Sequence, residues 1–265
     1  MNGYNGKILR VNLSDGTISV DEPNESFYRR YFGGRGFISY FLLKELPRGT
    51  DALSPENKLI FATGPITGAP VAGSGRNSVG AKSPLTNLYG DGEVGGYWGA
   101  EFKHAGYDAL IIEGRAENPV YLWIKDSQAE IRDARHLWGK TTGEYERLIE
   151  EELGDQNVRL AQIGVAGENL VRYACVVNDL HLVCGRCGIG AVMGSKKLRA
   201  IAVRGHGRVE SANAEMVSSI AKWYREKFKD MPFSTLSAHG TANGVASFNR
   251  AGVFPTRNFR ERVFE

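Results

Sequence analysis

From Asn178 to Lys196 the chain reads NDLHLVCGRCGIGAVMGSK, with four glycines and one arginine. We interpret the apolar runs on either side, Leu170–Val177 and Leu198–Val203, as strands. Glycine accepts positive φ without a Cβ clash, so this stretch can turn its N–H groups inward to bind an anion, with Arg186 available for a bidentate phosphate contact. The alternative interpretation is a glycine-rich turn between two buried strands.

Three cysteines lie in or beside this stretch, and two of them, Cys184 and Cys187, have the Cys-x-x-Cys spacing of redox sites and of half a zinc site. A structural zinc site needs a second pair of ligands, so Cys175 or His181 would have to join. We therefore interpret Cys184 and Cys187 as two partly buried thiols in a tight loop, and we keep metal or redox use as the alternative.

Two other glycine-rich loops could also bind an anionic group. Arg76 ends one of them and begins the predicted strand Asn77–Lys82, much as Arg186 lies within its own glycine run. In the other loop, Gly95 and Gly96 precede a predicted helix at residues 97–105. The first turn of a helix offers free N–H groups and the positive end of its dipole, which favours a phosphate there. Tight packing of the helix is the alternative role for these glycines.

The composition is that of a soluble globular protein, except for 33 glycines among 265 residues. Basic and acidic side chains number 33 and 30, and a net charge of +3 is too balanced to favour nucleic acid. No window is apolar over the roughly 18 residues that a membrane span requires, and the N-terminus does not read as a signal segment. We therefore expect a cytoplasmic protein that binds neither nucleic acid nor membrane.

The spacing of apolar residues predicts many short strands and several helices. Further strands are predicted at Lys7–Leu13, Thr17–Val20, Leu59–Thr63, Asp108–Glu113, Pro119–Lys125, Ala129–Asp133 and Val158–Ile163. Further helices are predicted at Asn24–Phe32 and Phe37–Leu46. A third helix is predicted to begin with a capping box at Thr141, to run to Leu153 and to be closed by Gly154. After Val209 the sequence shows few strand signals, and a long polar helix is predicted at Asn213–Lys229. We predict one domain over residues 1–208 and the start of another over 209–265.

Eight ordered motifs resemble one known family. They are KILRVNL from Lys7, LSPENKL from Leu53, GPITG from Gly64, KSPLT from Lys82, GGYWGAE from Gly95, AGYDA from Ala105, IGVAGENL from Ile163 and GAVMGSK from Gly190. Together they resemble the aldehyde ferredoxin oxidoreductase family of tungsten-pterin enzymes, across about residues 4 to 257. The resemblance implies an α+β fold in which two β-sheets form a saddle-like pterin-binding domain, followed by the beginning of a helical domain.

The resemblance also implies a set of cofactor-binding residues. In the family, dithiolene sulfurs of a bis-pyranopterin cofactor hold tungsten or molybdenum, and the protein binds the pterin phosphates. The matching positions here are Arg76, Gly95, Gly96, Leu182, Val183, Cys184, Gly185 and Arg186. Backbone carbonyls at Glu93 and Val183 match those that hold a magnesium ion between the phosphates, and hard cations prefer such oxygen ligands. Known members have Asn at position 93 and Arg-Ala-Ala at 182–184, so one positive side chain is absent here.

The function implied by the resemblance is oxidation of an aldehyde to a carboxylate, with electrons passing through a 4Fe-4S cluster to ferredoxin, in a homodimer. The cluster cysteines and proposed catalytic residues of the family follow the segment that matches residues 241–259, so we assign no catalytic residue. The alternative is a non-catalytic fragment or split-subunit binding module that needs those helical domains. A dinucleotide-binding domain is disfavoured, because residues 185–190 lack the Gly-x-Gly-x-x-Gly spacing and a following acidic residue.

Overall fold

A computed structural model describes residues 1–264. The strands are β1 (Ile8–Asn12), β2 (Ile18–Asp21), β3 (Leu59–Thr63), β4 (Asn77–Lys82), β5 (Tyr89–Val94), β6 (Ala109–Glu113), β7 (Val120–Lys125), β8 (Gln128–Asp133), β9 (Arg159–Gln162), β10 (Val176–Asn178), β11 (Leu182–Cys184) and β12 (Leu198–Arg204). The α-helices are α1 (Glu25–Tyr31), α2 (Arg35–Glu45), α3 (Trp98–His104), α4 (Thr142–Leu153), α5 (Val165–Glu168), α6 (Ile189–Ser195), α7 (Ala214–Lys227), α8 (Thr235–His239) and α9 (Val245–Arg250), with short 3-10 turns at Arg135–Leu137, Phe228–Asp230, Pro232–Ser234 and Gly240–Gly244.

Within residues 1–264 the strands form two sheets of six strands each. Sheet A has the order β2-β1-β6-β3-β4-β5, and sheet B has the order β11-β10-β9-β12-β7-β8. Both sheets are mixed: β1 pairs with β6, and β12 with β7, in parallel, and the remaining neighbours are antiparallel. The predicted α+β fold with two sheets is confirmed.

The central core takes side chains from both sheets, and strand β3 contributes one of its two apolar faces to it. Leu59 and Phe61 of β3 belong to this core, together with Trp98 of α3 and Ile201 of β12. The alternate residues of β3 lie in a second cluster beneath α1 and α2. A third cluster lies between sheet B and α4. The apolar side chains of each sheet are therefore covered on both faces, as continuous apolar runs require.

Local signals predicted α4 and its neighbourhood well. The Thr141 hydroxyl accepts a hydrogen bond from the backbone N–H of Glu144, and the Glu144 carboxylate accepts one from the backbone N–H of Thr141, so the predicted capping box is confirmed. Gly154 ends the helix at φ 65°, a left-handed conformation that suits glycine.

The strand predicted at Leu170–Val177 is wrong over most of its length, because β10 begins only at Val176. The glycine-rich stretch beyond it is also not one loop. It contains β11, which pairs antiparallel with β10, and the buried helix α6. Gly190 and Gly194 let α6 pack closely: a Cβ at Gly194 would overlap the carbonyl oxygen of Gly167. Tight packing is thus the role of the glycines in α6.

The chain divides into two compact units, Met1–Ala214 and Glu215–Glu265. The first contains both sheets. Within its described residues, the second consists of α-helices, 3-10 turns and one isolated β-bridge, Thr256 with Glu261. The long polar helix predicted at residues 213–229 is confirmed as α7. No helix in the described part of the chain is long and apolar enough to cross a bilayer.

Candidate functional site

The edge strand of sheet A meets the edge strand of sheet B where β5 contacts β11. A Cβ built on Gly92 would lie 2.5 Å from the Cys184 Sγ, and a Cβ on Gly90 would lie 2.7 Å from the Cys187 Cβ. Real Cβ atoms do not approach so closely, so glycine at these positions is what allows the two strands to touch. This junction adjoins the predicted residues Glu93 in β5 and Val183 in β11.

The predicted Arg76 loop lies against the predicted Gly95–Gly96 turn. A Cβ on Gly75 would lie 2.5 Å from the carbonyl oxygen of Gly96. The Arg76 side chain is exposed, and among residues 1–264 its guanidinium has no hydrogen bond or ion pair. An unpaired guanidinium beside a glycine turn is well suited to bind an anionic oxygen group.

Sheet B contributes the second side of the same junction. The Leu182 side chain lies 3.7 Å from a Cβ position on Gly95 and 3.2 Å from one on Gly96. Beyond β11, Gly185 and Arg186 are exposed, and no ion pair or hydrogen bond of the Arg186 guanidinium occurs within the described chain. The structure therefore gathers the Gly95–Gly96 turn, the Arg76 loop and the start of the 182–186 segment in one place.

The N-terminus of α3 is less free than the sequence suggested. The carboxylate Oδ2 of Asp179 accepts a hydrogen bond of 2.5 Å from the backbone N–H of Tyr97. Gly96 has φ 97°, and a Cβ there would overlap this carboxylate. The expectation of free N–H groups is thus wrong for Tyr97, because a side chain distant in sequence reaches that group. Sequence reasoning missed Asp179 as a site residue, although it lies in the opening stretch.

Two buried asparagines connect the two sheets beside Asp179. Asn178 Nδ2 donates to Asn77 Oδ1 at 3.1 Å and to the carbonyl of Gly95 at 3.2 Å. Three polar atoms of this group, Asn77 Nδ2, Asn178 Oδ1 and Asp179 Oδ1, are buried without a hydrogen-bond partner among residues 1–264. A buried polar atom without a partner costs about 1–3 kcal/mol. Buried polar atoms without a partner are uncommon in folded proteins, and three of them lie together at this junction.

The Glu93 side chain is engaged on the other face of β5. Its carboxylate accepts a 2.5 Å hydrogen bond from Ser78 Oγ and lies 3.3 Å from Arg35 Nε. The same Arg35 Nε lies 2.6 Å from the carboxylate Oδ2 of Asp91. Glu93, Ser78 and Arg35 line a cavity of about 450 Å³ at the N-terminus of α2. Arg76 lines the same cavity. The Glu93 side chain is held by protein partners, so any ligand role of this residue falls to its backbone carbonyl.

The cysteine pair has the properties of packing residues. Cys184 is fully buried, and burial raises the pKa of its thiol to about 12. In the described residues no three His, Cys, Asp or Glu side chains are grouped so that they could hold a metal ion. Cys187 is half-buried with φ 62°, an uncommon conformation for a residue other than glycine.

We expect Cys184 to resist alkylation in the folded protein, because a buried and protonated thiol is a poor nucleophile. With iodoacetamide at neutral pH, Cys175 and Cys187 should be modified well before Cys184, as followed by peptide mass spectrometry. Unfolding in urea should equalise the three rates. Equal rates in the folded protein would contradict the buried position of Cys184.

Comparison with known proteins agrees with these observations. Residues 8–205 match the family model described as aldehyde ferredoxin oxidoreductase, N-terminal domain. This range contains the two sheets and every predicted site residue. The chain therefore belongs to the aldehyde ferredoxin oxidoreductase family, as its motifs predicted.

Individual relatives show how much of a longer protein the chain represents. It is 53% identical over 267 aligned residues to a tungsten-containing aldehyde ferredoxin oxidoreductase of Pyrococcus abyssi, covering 100% of this chain and 44% of that protein. The protein of the same name from Thermococcus kodakarensis is 47% identical, with the same coverage. A solved structure, the active-site complex BamBC of benzoyl coenzyme A reductase with 1,5-dienoyl-CoA, is similar with a TM-score of 0.82 and 37% identity, over 86% of this chain and 35% of that one.

Proposed function

We propose that this chain is the cofactor-binding part of a tungsten-pterin oxidoreductase that converts aldehydes to carboxylates. The observation that carries this proposal is the junction of the two sheets, where the Arg76 loop, the Gly95–Gly96 turn and the start of the 182–186 segment lie beside three buried polar atoms without partners. Residues 1–208 would form the cofactor-binding domain, and 209–265 would begin the helical domain.

The residues at the junction fit the phosphate tails of a pterin cofactor. Arg76 and Arg186 offer guanidinium groups without protein partners, which favour bidentate contacts to phosphate oxygens. Gly95, Gly96 and Gly185 leave backbone accessible because they lack side chains. The backbone carbonyls of Glu93 and Val183 would hold magnesium between the phosphates, since this ion prefers oxygen ligands.

The bound cofactor, with tungsten or molybdenum held by its own sulfurs, would supply the redox chemistry. The role of this chain is to bind and orient it. Neutralising the phosphates by two arginines lowers the electrostatic cost of holding the tails close together. Leu182 stands where known members have the arginine, and its side chain is 41% exposed but apolar, so it offers no charge to a phosphate.

Because the chain belongs to the aldehyde ferredoxin oxidoreductase family, we extend the proposal to the whole protein. Electrons from the aldehyde would pass through a 4Fe-4S cluster, bound outside this chain, to ferredoxin, in a homodimeric cytoplasmic enzyme. The second candidate is a non-catalytic fragment or split-subunit module. It is supported by the 69% exposure of Tyr97 beside the site, because a large exposed aromatic side chain there is suited to contact a further domain or subunit.

Metal and pterin content of the purified chain separates these candidates. The chain would be produced in cells supplied with tungstate, then analysed for tungsten by elemental mass spectrometry and for pterin by fluorescence after oxidation. Stoichiometric tungsten with pterin supports cofactor binding by this chain alone. A metal-free and pterin-free chain supports the second candidate.

Arg76→Ala is expected to lower the pterin content at least tenfold, because losing a charge-assisted phosphate contact costs about 1.5–3 kcal/mol. The unfolding midpoint should not change, since the guanidinium has no protein partner. Arg48→Ala is the matched control, because Arg48 is also exposed but lies outside the site. Equal pterin content in wild type and Arg76→Ala would contradict the assignment.

A further inference from the structure

Asp179 lies at the turn where the proposed phosphate site is located, but an ionised carboxylate repels phosphate. Its Oδ2 is held by the Tyr97 N–H at 2.5 Å. Its Oδ1 is buried and has no hydrogen-bond partner in residues 1–264. The backbone N–H groups of Tyr97 and Trp98 both favour the ionised carboxylate. The hydrogen bond from Tyr97 goes to Oδ2, however, so this helix cap does not give Oδ1 a partner.

The charged groups around Asp179 come from several elements. Arg159 of β9, whose guanidinium lies 5.4 Å from the Tyr97 ring centroid, and His181 both favour the ionised form, whereas burial disfavours it. Burial is the largest of these effects and raises the pKa of Asp179 above its ordinary value. Glu146 of α4 is another carboxyl group that could take up a proton. Burial, with contributions from Glu150 and Asp179, raises its pKa to about 7.

A proton on Oδ1 would resolve the conflict with phosphate. The carboxyl group would lose its charge, and Oδ1–H would become a hydrogen-bond donor available to an oxyanion, while Oδ2 still accepts from Tyr97. A neutral buried carboxyl that donates a hydrogen bond to an anion is a recognised way for a protein to hold negative charge.

We propose that Asp179 takes up one proton when a tetrahedral oxyanion binds at the Gly95–Gly96 turn, and that its Oδ1–H then donates to that oxyanion. The proposal rests on the proposed function, since the anion is taken to be a cofactor phosphate. It makes Asp179 a binding residue that belongs to the same site as Arg76.

The test is the pH dependence of sulfate binding to the 265-residue chain. Sulfate keeps its two charges from about pH 5.5 to about pH 8.5, so any linked proton comes from the protein. Its Kd would be measured by calorimetric titration at constant ionic strength. Above the Asp179 pKa, we expect the wild-type Kd to rise about tenfold for each pH unit.

Asp179→Asn is the decisive variant. An amide accepts from Tyr97 and donates to the anion as the protonated acid would, so its Kd should equal the low-pH wild-type value and stay constant with pH. A residue that only caps α3 would not produce this change in slope. Glu146→Gln and His181→Gln are the matched controls and should keep the wild-type slope.

Two outcomes would overturn the proposal. Wild-type binding that is independent of pH, or a slope that survives in Asp179→Asn, would exclude proton uptake at Asp179 while leaving the proposed function intact. Failure of wild type to bind sulfate at any pH, together with absence of pterin from chain made in tungstate-supplied cells, would remove both the inference and the proposed phosphate site.

Discussion

Asp108→Ala is expected to lower the free energy of unfolding by about 3–5 kcal/mol, because it leaves a buried charge without its partner. Asp108 is fully buried and lies 2.5 Å from Lys103 Nζ. Its carboxylate also accepts hydrogen bonds from the backbone N–H groups of Asn5 at 3.1 Å, Gly6 at 2.7 Å and Lys7 at 3.3 Å. The substitution therefore removes the acceptor of an ammonium group and of three amides.

Urea denaturation would measure this loss from the midpoint at unchanged slope. Asp133→Ala is the matched control, since Asp133 pairs with Arg135 at a similar distance of 2.6 Å but is 48% exposed. Its midpoint should barely move, because solvent screens such a pair. If the two alanine variants unfolded at the same urea concentration, the buried pair would not have the stabilising role assigned to it.

The second large effect is expected at Gly188, which precedes α6. Gly188 and Gly154 have nearly the same backbone conformation, with φ 66° and 65°. A Cβ on Gly154 would meet nothing within 4 Å, whereas a Cβ on Gly188 would overlap the carbonyl oxygen of Arg172. Gly154→Ala should cost about 1–2 kcal/mol from left-handed strain alone. Gly188→Ala adds a steric overlap with backbone, and we expect at least about 3 kcal/mol in total.

The same substitution should affect the proposed cofactor site. Relieving the overlap would separate the Arg172 backbone from the turn before α6, and that turn contains Arg186. We therefore expect Gly188→Ala to lose pterin as well as stability, and Gly154→Ala to retain its pterin. Equal losses of stability in the two variants would show that the contact with Arg172 is not a constraint.

Elements with a local pattern could be predicted from the sequence. The run Leu59–Thr63 was found because its apolar side chains are contiguous, and α4 was found because its caps lie within the helix itself. The α-helix α6 was missed because glycines at 190 and 194 reduce helix propensity, while its packing against the Gly167 carbonyl depends on tertiary contact.

The candidate site was predictable only in part. Arg76 and Gly95 stand out in the sequence because glycine-rich loops are visible locally. The contact of Asp179 with Tyr97 joins residues 82 positions apart, and that of Asn178 with Asn77 joins residues 101 apart. No spacing rule connects positions so distant, so these residues could be found only once the two sheets were placed side by side.

The pairing of β1 with β6 governs when this protein can fold during synthesis. Ile8 lies opposite Ala109 in parallel register, and β1 separates β2 from the rest of sheet A. The first strand must therefore wait until about one hundred further residues have left the ribosome, and closing so long a loop is entropically costly and slow. Sheet B needs β12, which is later still. Within residues 1–264, the junction between the sheets would then be completed only after both sheets have formed, so the proposed cofactor site cannot be complete before β12 has been synthesised.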